Sequence, residues 1–319
     1  MKQFLEIFKR VDGKGVLRQY TRANVLLFAL VETLLLGFSK KSLEIVRLAV
    51  KNRILSKLRK KYRKHINTFK TEYVEGPKKH SKKVWICWLQ GMEAAPEIVK
   101  MCYQSMQQYL PDREIVLITE KNYREYVSFP EFIQEKIDQG IITGAHMSDL
   151  LRLELLIKYG GTWIDSTVYC SSGKIPEYMF ESDLFVFQNL KPGLNGDSTS
   201  ISNWFITSCV NNPILVLTQK LLYEYWHKNN KLIDYFIFHD FFQIAIECYP
   251  EEWKKVVPFS NSVPHILLLR LFEEYDENIW RGVKEMTPFH KLTYKYTSEQ
   301  AAKKNTYYKH IIGPAIKRC

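Results

Sequence analysis

The stretch from Ser148 to Val168, S-D-L-L-R-L-E-L-L-I-K-Y-G-G-T-W-I-D-S-T-V, constrains the fold more than any other part of the chain. Leu150, Leu151, Leu153, Leu155, Leu156 and Ile157 leave a helix little polar surface, so it belongs deep in a core. Ser148 suits the N-cap, Asp149 favours the positive end of the helix dipole, and Gly160-Gly161 supplies a left-handed stop. Thr162 to Tyr169 follows with strand propensity and carries Asp165 in its middle.

The upstream texture extends this pattern. Lys83 to Leu89 (K-V-W-I-C-W-L) is a short apolar run of the kind buried on both faces of a sheet. Ala95 to Leu110 has helical spacing, with Pro96 tolerated in the first turn and Pro111 just past the end. Ile115 to Thr119 (I-V-L-I-T) is a second strand-like run. Strand, helix, strand in this order predicts parallel pairing in an α/β sheet. Ligands on such sheets sit beyond the C-terminal strand ends, which points at Trp88 to Gly91 and Thr119 to Asn122.

Three charged residues stand out against this apolar background. Asp149 and Arg152 lie three apart and share a helical face. Buried charges must be satisfied by each other or by a ligand, and a structural ion pair is the plainer account of these two alone. Asp165 changes the balance, because an unpaired carboxylate between Ile164 and Ser166 would be costly. Asp165 and Thr167 point to one side of the strand. Such a carboxylate can hold a ribose hydroxyl or a divalent ion bridging a diphosphate, and oxygen ligands suit Mg²⁺ or Mn²⁺. The plainer alternative makes Asp165 a partner for a core Arg or a turn cap.

The pattern S-D-x-x-R-x-x-x-L-x-x-x-G-G-x-W-x-D-x-T resembles the capsular polysaccharide synthesis proteins and the related glycosyltransferase family 32, with their DXD sugar-binding region. W-I-C-W-L-Q-G, L-I-T-E-K-N-Y at Leu117 to Tyr123, I-S-N-W-F-I at Ile201 to Ile206 and H-K-L-T-Y-K at His290 to Lys295 carry the same likeness over roughly Lys83 to Lys295. The resemblance implies a GT-A-like (Rossmann-like) mixed sheet flanked by helices, behind an N-terminal helical segment. It further implies a retaining hexosyltransferase, with UDP-glucose or UDP-galactose as expected donors and a lipid-linked saccharide of capsule or surface polysaccharide as acceptor. By that resemblance Trp88 lies near the base, Asp149 holds ribose or sugar hydroxyls, Arg152 the sugar or phosphates, and Asp165 the ribose or a metal. Ser148 and Trp163 fall in the same motif and join the donor-binding set. Thr167 replaces the second Asp of strict D-x-D and is a weaker ligand than a carboxylate. The expected Mn²⁺ or Mg²⁺ would therefore need a further ligand such as His290 beside Asp165.

Outlying candidates have weaker support. Asn203 suits a hydroxyl contact or a turn cap. Asp240, after His239, offers an acid, base or acceptor contact, or a helix N-cap. Lys291 next to His290 could clamp the diphosphate, offsetting leaving-group charge, or be a surface residue. The Gly-, Asn- and Ser-rich stretch Pro192 to Ser200 could shape the acceptor site. Asp165, Arg152, Asn203 and Asp240 form the expected catalytic set.

The net charge of +12 is local. Lys40 to Lys83 holds 16 Lys/Arg against Glu44, Glu72 and Glu75, and the rest of the chain is close to neutral. Leu43, Val46, Val50, Ile54 and Leu58 give this segment helical spacing, so Leu43 to Lys64 reads as a basic amphipathic helix. A basic helix attracts polyanions, which leaves a membrane-surface or nucleic-acid-binding protein as the alternative reading. No nucleic-acid motif accompanies the charge, and a peripheral contact with an anionic leaflet is the favoured expectation. Val25 to Phe38 is shorter than the roughly 20 residues a spanning helix needs, and a buried helix is expected there. The expected organisation is a basic helical segment at 1–70, a linker at 71–82 and the transferase domain at 83–319. Six scattered cysteines with no C-x-x-C pair favour free thiols in a reducing compartment. With no secretory pattern, the cytoplasm is expected, at the inner face of the membrane.

Overall fold

The computed structural model describes residues 13–74, 76–190 and 198–312. The chain opens with three helices, α1 (Gly13–Arg22), α2 (Leu26–Leu36) and the long α3 (Lys40–Glu72). There follow β1 (Lys83–Cys87), α4 (Glu97–Tyr109), β2 (Glu114–Ile118), α5 (Gly144–Tyr159), β3 (Gly161–Ile164) and β4 (Val168–Cys170). β5 (Leu184–Gln188), β6 (Ile201–Ser208), α6 (Pro213–Lys228), α7 (Ile237–Cys248) and β7 (Phe289–Lys291) complete the main elements.

Five strands form one mixed sheet in the order β2-β1-β3-β6-β5. β1 pairs in parallel with β2 and β3, as the strand-helix-strand alternation predicts, and β6 runs antiparallel to β3 and β5. The result is the mixed α/β sheet flanked by helices that the sequence implies. Alternation along β1 and β3 divides the core. Trp85 and Trp163 face the leucines of α5, together with Phe238, Phe241 and Phe242 of α7. Val84, Ile86 and Ile164 face Met106 of α4, Leu110 just past its end, and the Phe185, Phe187 and Phe205 cluster.

The glycine pair fixes how α5 feeds β3. Gly160 and Gly161 have φ of 67° and 91°, a region that L side chains avoid. A Cβ on Gly161 would lie 2.3 Å from the Lys83 carbonyl oxygen, so β1 can approach only because no side chain is there. α5 itself starts at Gly144, with Thr143 as N-cap. Ser148 is therefore inside the helix and not its cap, because Ala145, His146 and Met147 extend the helical run by a turn.

The N-terminal helices relate to the core in two ways. Val46, Val50, Ile54, Leu55, Leu58, Tyr62 and Ile66 are buried and continuous with the core of α5, α6 and α7. Tyr62 meets Phe241 edge-on at 5.1 Å, Arg59 forks onto Glu247 at 2.7 and 2.6 Å, and His65 reaches Glu224 at 3.0 Å. The stretch after α3 is irregular but tied down by Tyr73 to the Asn211 carbonyl and by Lys78 and His80 to Asp183. The apolar stretch Val25 to Phe38, by contrast, is not the buried helix expected: within α2 only Ala29 is buried. Among the described residues no helix is long and apolar enough to cross a membrane.

Candidate active site

β3 ends at Ile164, and Asp165 stands at its C-terminal edge. The expected single strand from Thr162 to Tyr169 is broken there. The Asp165 amide still donates to the Trp204 carbonyl of β6 at 2.8 Å, but the chain then turns, and β4 leaves to pair with β7. This break places the carboxylate beyond the strand end instead of inside the sheet. β1 ends at the same point: the Cys87 thiol feels both Arg152 and Asp165, although burial dominates and pushes it up to about 12.

Around Asp165 the residues singled out in the sequence converge. Its Oδ1 accepts from Trp163 Nε1 at 2.9 Å and from Arg152 at 3.3 Å, and its Oδ2 accepts from Lys291 Nζ at 3.0 Å. Burial alone would raise this carboxyl, but Lys291 and Arg152 outweigh it and hold the group below the usual carboxylate range. Arg152 also donates to Asp149, whose Oδ1 accepts from Asn203 at 2.9 Å as well. The Arg152 guanidinium lies over the rings of Trp163 and Phe238, 4.9 and 5.4 Å from their centroids. Its Nε is buried with no hydrogen-bond partner among the described residues, and so is Trp88 Nε1. An unpartnered guanidinium donor within this anion-balanced cation pair suits a polar ligand that brings acceptors.

β7 explains the other half of the motif. Lys291 pairs with Val168 and His290 with Tyr169, so the two side chains leave the strand on opposite faces. Lys291 reaches Asp165 and also donates to Thr167 Oγ1 at 2.5 Å. His290 is fully buried, bonded to Ser171 Oγ at 2.8 Å and packed near Trp280, and burial lowers its pKa to about 3. The expected metal pair of Asp165 and His290 is therefore corrected: strand alternation turns the imidazole away from the carboxylate. Among the described residues no three His, Cys, Asp or Glu side chains meet as metal ligands. The donor set at Asp165 and Thr167 is one carboxylate and one hydroxyl with an ammonium already against both. That set does not fit a divalent ion.

The remaining candidates are scattered more widely. Trp88 follows β1 and meets Tyr294 edge-on at 5.5 Å. Ser148 is half-buried on α5 next to Asp149. Asp240 is buried in the first turn of α7, two residues after the Phe238 that covers Arg152; the helix is capped at Phe236, so Asp240 is not its N-cap. Residues 192–197 of the expected acceptor loop lie outside the described residues. Sequence reasoning missed His146, which is buried with Nδ1 3.5 Å from Asp149 Oδ2. Its i, i+3 spacing to Asp149 would have revealed it had the helix been started at Gly144. Phe238 had no local signal. A surface hollow of about 510 Å³ lined by Ser171, Lys174, Phe259 and Arg281 shares no residue with this cluster. The convergence of charged groups at strand ends is the better guide to chemistry.

The family model described as capsular polysaccharide synthesis protein matches residues 37–311, and the chain belongs to that family. An O-glycosyltransferase, braB of Annulohypoxylon truncatum, is 29% identical over 168 residues, 47% of this chain and 39% of that protein. The chain thus spans about two fifths of the length of this curated relative. The relative's name is that of an O-glycosyltransferase. Among solved structures, the PaToxG glycosyltransferase aligns over 83% of this chain and 98% of its own, with 18% identity and a TM-score of 0.36.

Proposed function

We propose that this protein transfers a hexose from a nucleoside diphosphate sugar to a saccharide acceptor, with retention at the anomeric carbon, in capsule or surface polysaccharide synthesis. The observation that carries this reading is the Asp149–Arg152–Asp165–Lys291 network at the C-terminal ends of β1 and β3. Two cations there are held rigidly by two carboxylates and offer charge to a diphosphate. UDP-glucose and UDP-galactose are the donors to test first, and a lipid-linked saccharide at the cytoplasmic leaflet is the expected acceptor.

In the reaction the bond from the anomeric carbon to the diphosphate oxygen breaks and the bond to the acceptor oxygen forms on the same face. The acceptor proton passes to the departing phosphate oxygen, so no separate base is required. Arg152 and Lys291 stabilise the charge that grows on the leaving group. Asp165 and Asp149 orient these cations and accept from donor hydroxyls, while Trp163 and Phe238 keep the guanidinium plane fixed. Such preorganisation supplies most of the advantage over water, because nothing has to reorganise as charge develops.

The test is a panel of nucleotide sugars with a saccharide acceptor, scored by release of nucleoside diphosphate and by transfer. One donor should stand out, and Asp165→Asn should lower turnover by about a hundredfold or more while the circular dichroism spectrum is unchanged. A folded Asp165→Asn protein with normal transfer would remove this cluster from the reaction.

A further inference from the structure

α2 presents an apolar surface of unusual extent. Leu27, Leu34 and Leu35 are 77, 73 and 76% exposed, and Leu30, Val31 and Leu36 are also exposed. Positions 27, 30, 31 and 34 follow helical spacing, so they form one outward stripe, while Ala29 faces the protein. Isolated surface leucines need no explanation, but a contiguous patch of this kind marks an interaction surface.

Apart from Glu32 on α2 itself and Glu44, which faces Lys41 at 3.5 Å, the charges around the patch are cationic. Arg53 of α3 lies over the Phe28 ring at 4.6 Å, and Lys57 donates to the Ala23 and Asn24 carbonyls just before the helix. Arg22 closes α1 on one side, and Lys40 and Lys41 open α3 on the other. α3, which carries Arg53, also reaches towards the candidate active site. Lys51 of α3 sits 4.9 Å from the Phe236 ring, Phe236 meets Tyr235, and Tyr235 meets His146 at 5.3 Å, the neighbour of Asp149. Tyr235 and Phe236 are themselves exposed.

From this arrangement we infer that α2 is a lipid-docking element that lies flat in the headgroup region of an anionic leaflet. An 11-residue helix is about 16 Å long, roughly half the hydrocarbon thickness, so it inserts without crossing. The leucines enter the acyl boundary while Arg22, Lys40, Lys41 and Arg53 meet anionic headgroups. A second copy of the chain is the poorer occupant, since it would bring the same basic rim against itself. A lipid-linked acceptor would be met at that leaflet; only this last purpose rests on the transferase reading above.

The experiment uses the full chain and vesicles of phosphatidylcholine with phosphatidylglycerol, or of phosphatidylcholine alone. The wild type should sediment with the mixed vesicles, and the triple variant Leu27→Ser, Leu34→Ser, Leu35→Ser should bind about a hundredfold more weakly. These side chains are exposed, so the variant should keep the wild-type Tm and its transfer to a soluble acceptor. A Leu34→Trp reporter should shift its emission to the blue on mixed vesicles. Equal vesicle binding by wild type and triple variant overturns the inference, as does a reporter unmoved by lipid. Self-association that the triple variant abolishes, without vesicle binding, assigns the patch to a second copy and also overturns it. Loss of docking with transfer intact leaves the transferase reading standing, and docking without any donor turnover does the reverse.

Discussion

Lys291 is the residue on which the proposed chemistry of this site turns. Where strict D-x-D proteins have a second acidic residue, this chain has Thr167, and the Lys291 ammonium lies within hydrogen-bond reach of both Thr167 and Asp165. A divalent ion at that position would be repelled by a fixed cation some 3 Å from its only carboxylate. The ammonium can supply leaving-group stabilisation in its place. Transfer should therefore persist in excess chelator, and Lys291→Met should lower kcat by about a hundredfold or more, with Lys291→Arg retaining part of it. Pairing Thr167→Asp with Lys291→Ala removes the resident cation and adds a carboxylate, so this variant should become responsive to Mn²⁺. Wild-type activity lost in chelator and restored by Mn²⁺ would show that Lys291 does not substitute for an ion.

At the scale of elements, β7 divides its two polar residues between the site and the core, and the core half has a pH signature. His290 is fully buried with its pKa lowered to about 3. The unfolded chain takes up that proton near pH 6.5. The contribution of neutral His290 is thus complete above about pH 6.5 and is lost as pH falls towards 3, at about 1.4 kcal/mol per pH unit. Between pH 7 and pH 5 the wild type should lose about 2 kcal/mol more of its urea-unfolding free energy than His290→Gln does. Equal losses would mean that the imidazole is already charged in the fold. His290 also shows the limit of what the sequence alone reveals. Asp149, Arg152 and Asp165 were legible because local spacing and apolar surroundings made their charges anomalous. The parallel strands and the glycine stop were legible for the same local reasons. Which face of β7 meets Asp165 depends on pairing with β4 more than a hundred residues earlier in the chain, and no local pattern encodes that register. Phe238 over Arg152 is long-range in the same way. The end of β3 at Ile164 was missed because propensity continues to Tyr169 while the pairing partner changes.

At the scale of the whole molecule, the first helices have two different relations to the rest. α2 turns its leucines outward, whereas α3 turns its apolar stripe inward and its charged face, with Ile45, to solvent. The seven buried residues of α3, from Val46 to Ile66, contribute on the order of 10 kcal/mol of apolar burial, which rivals the net stability of a typical domain. A chain beginning at Lys83 would leave Phe241 and the neighbouring surfaces of α6 and α7 uncovered. It should be recovered largely insoluble, or should unfold without a cooperative transition. A chain beginning at Ser39 keeps the residue that caps α3, whose side chain accepts from the Ser42 amide at 3.0 Å. It should fold, unfold cooperatively at a slightly lower Tm, and transfer to a soluble acceptor while no longer binding anionic vesicles. Thermal denaturation and vesicle sedimentation of the two truncations measure both halves of this expectation. Should the Lys83 chain prove soluble, cooperative and as stable as the full protein, α3 is a detachable appendage and its buried stripe contributes little to the fold.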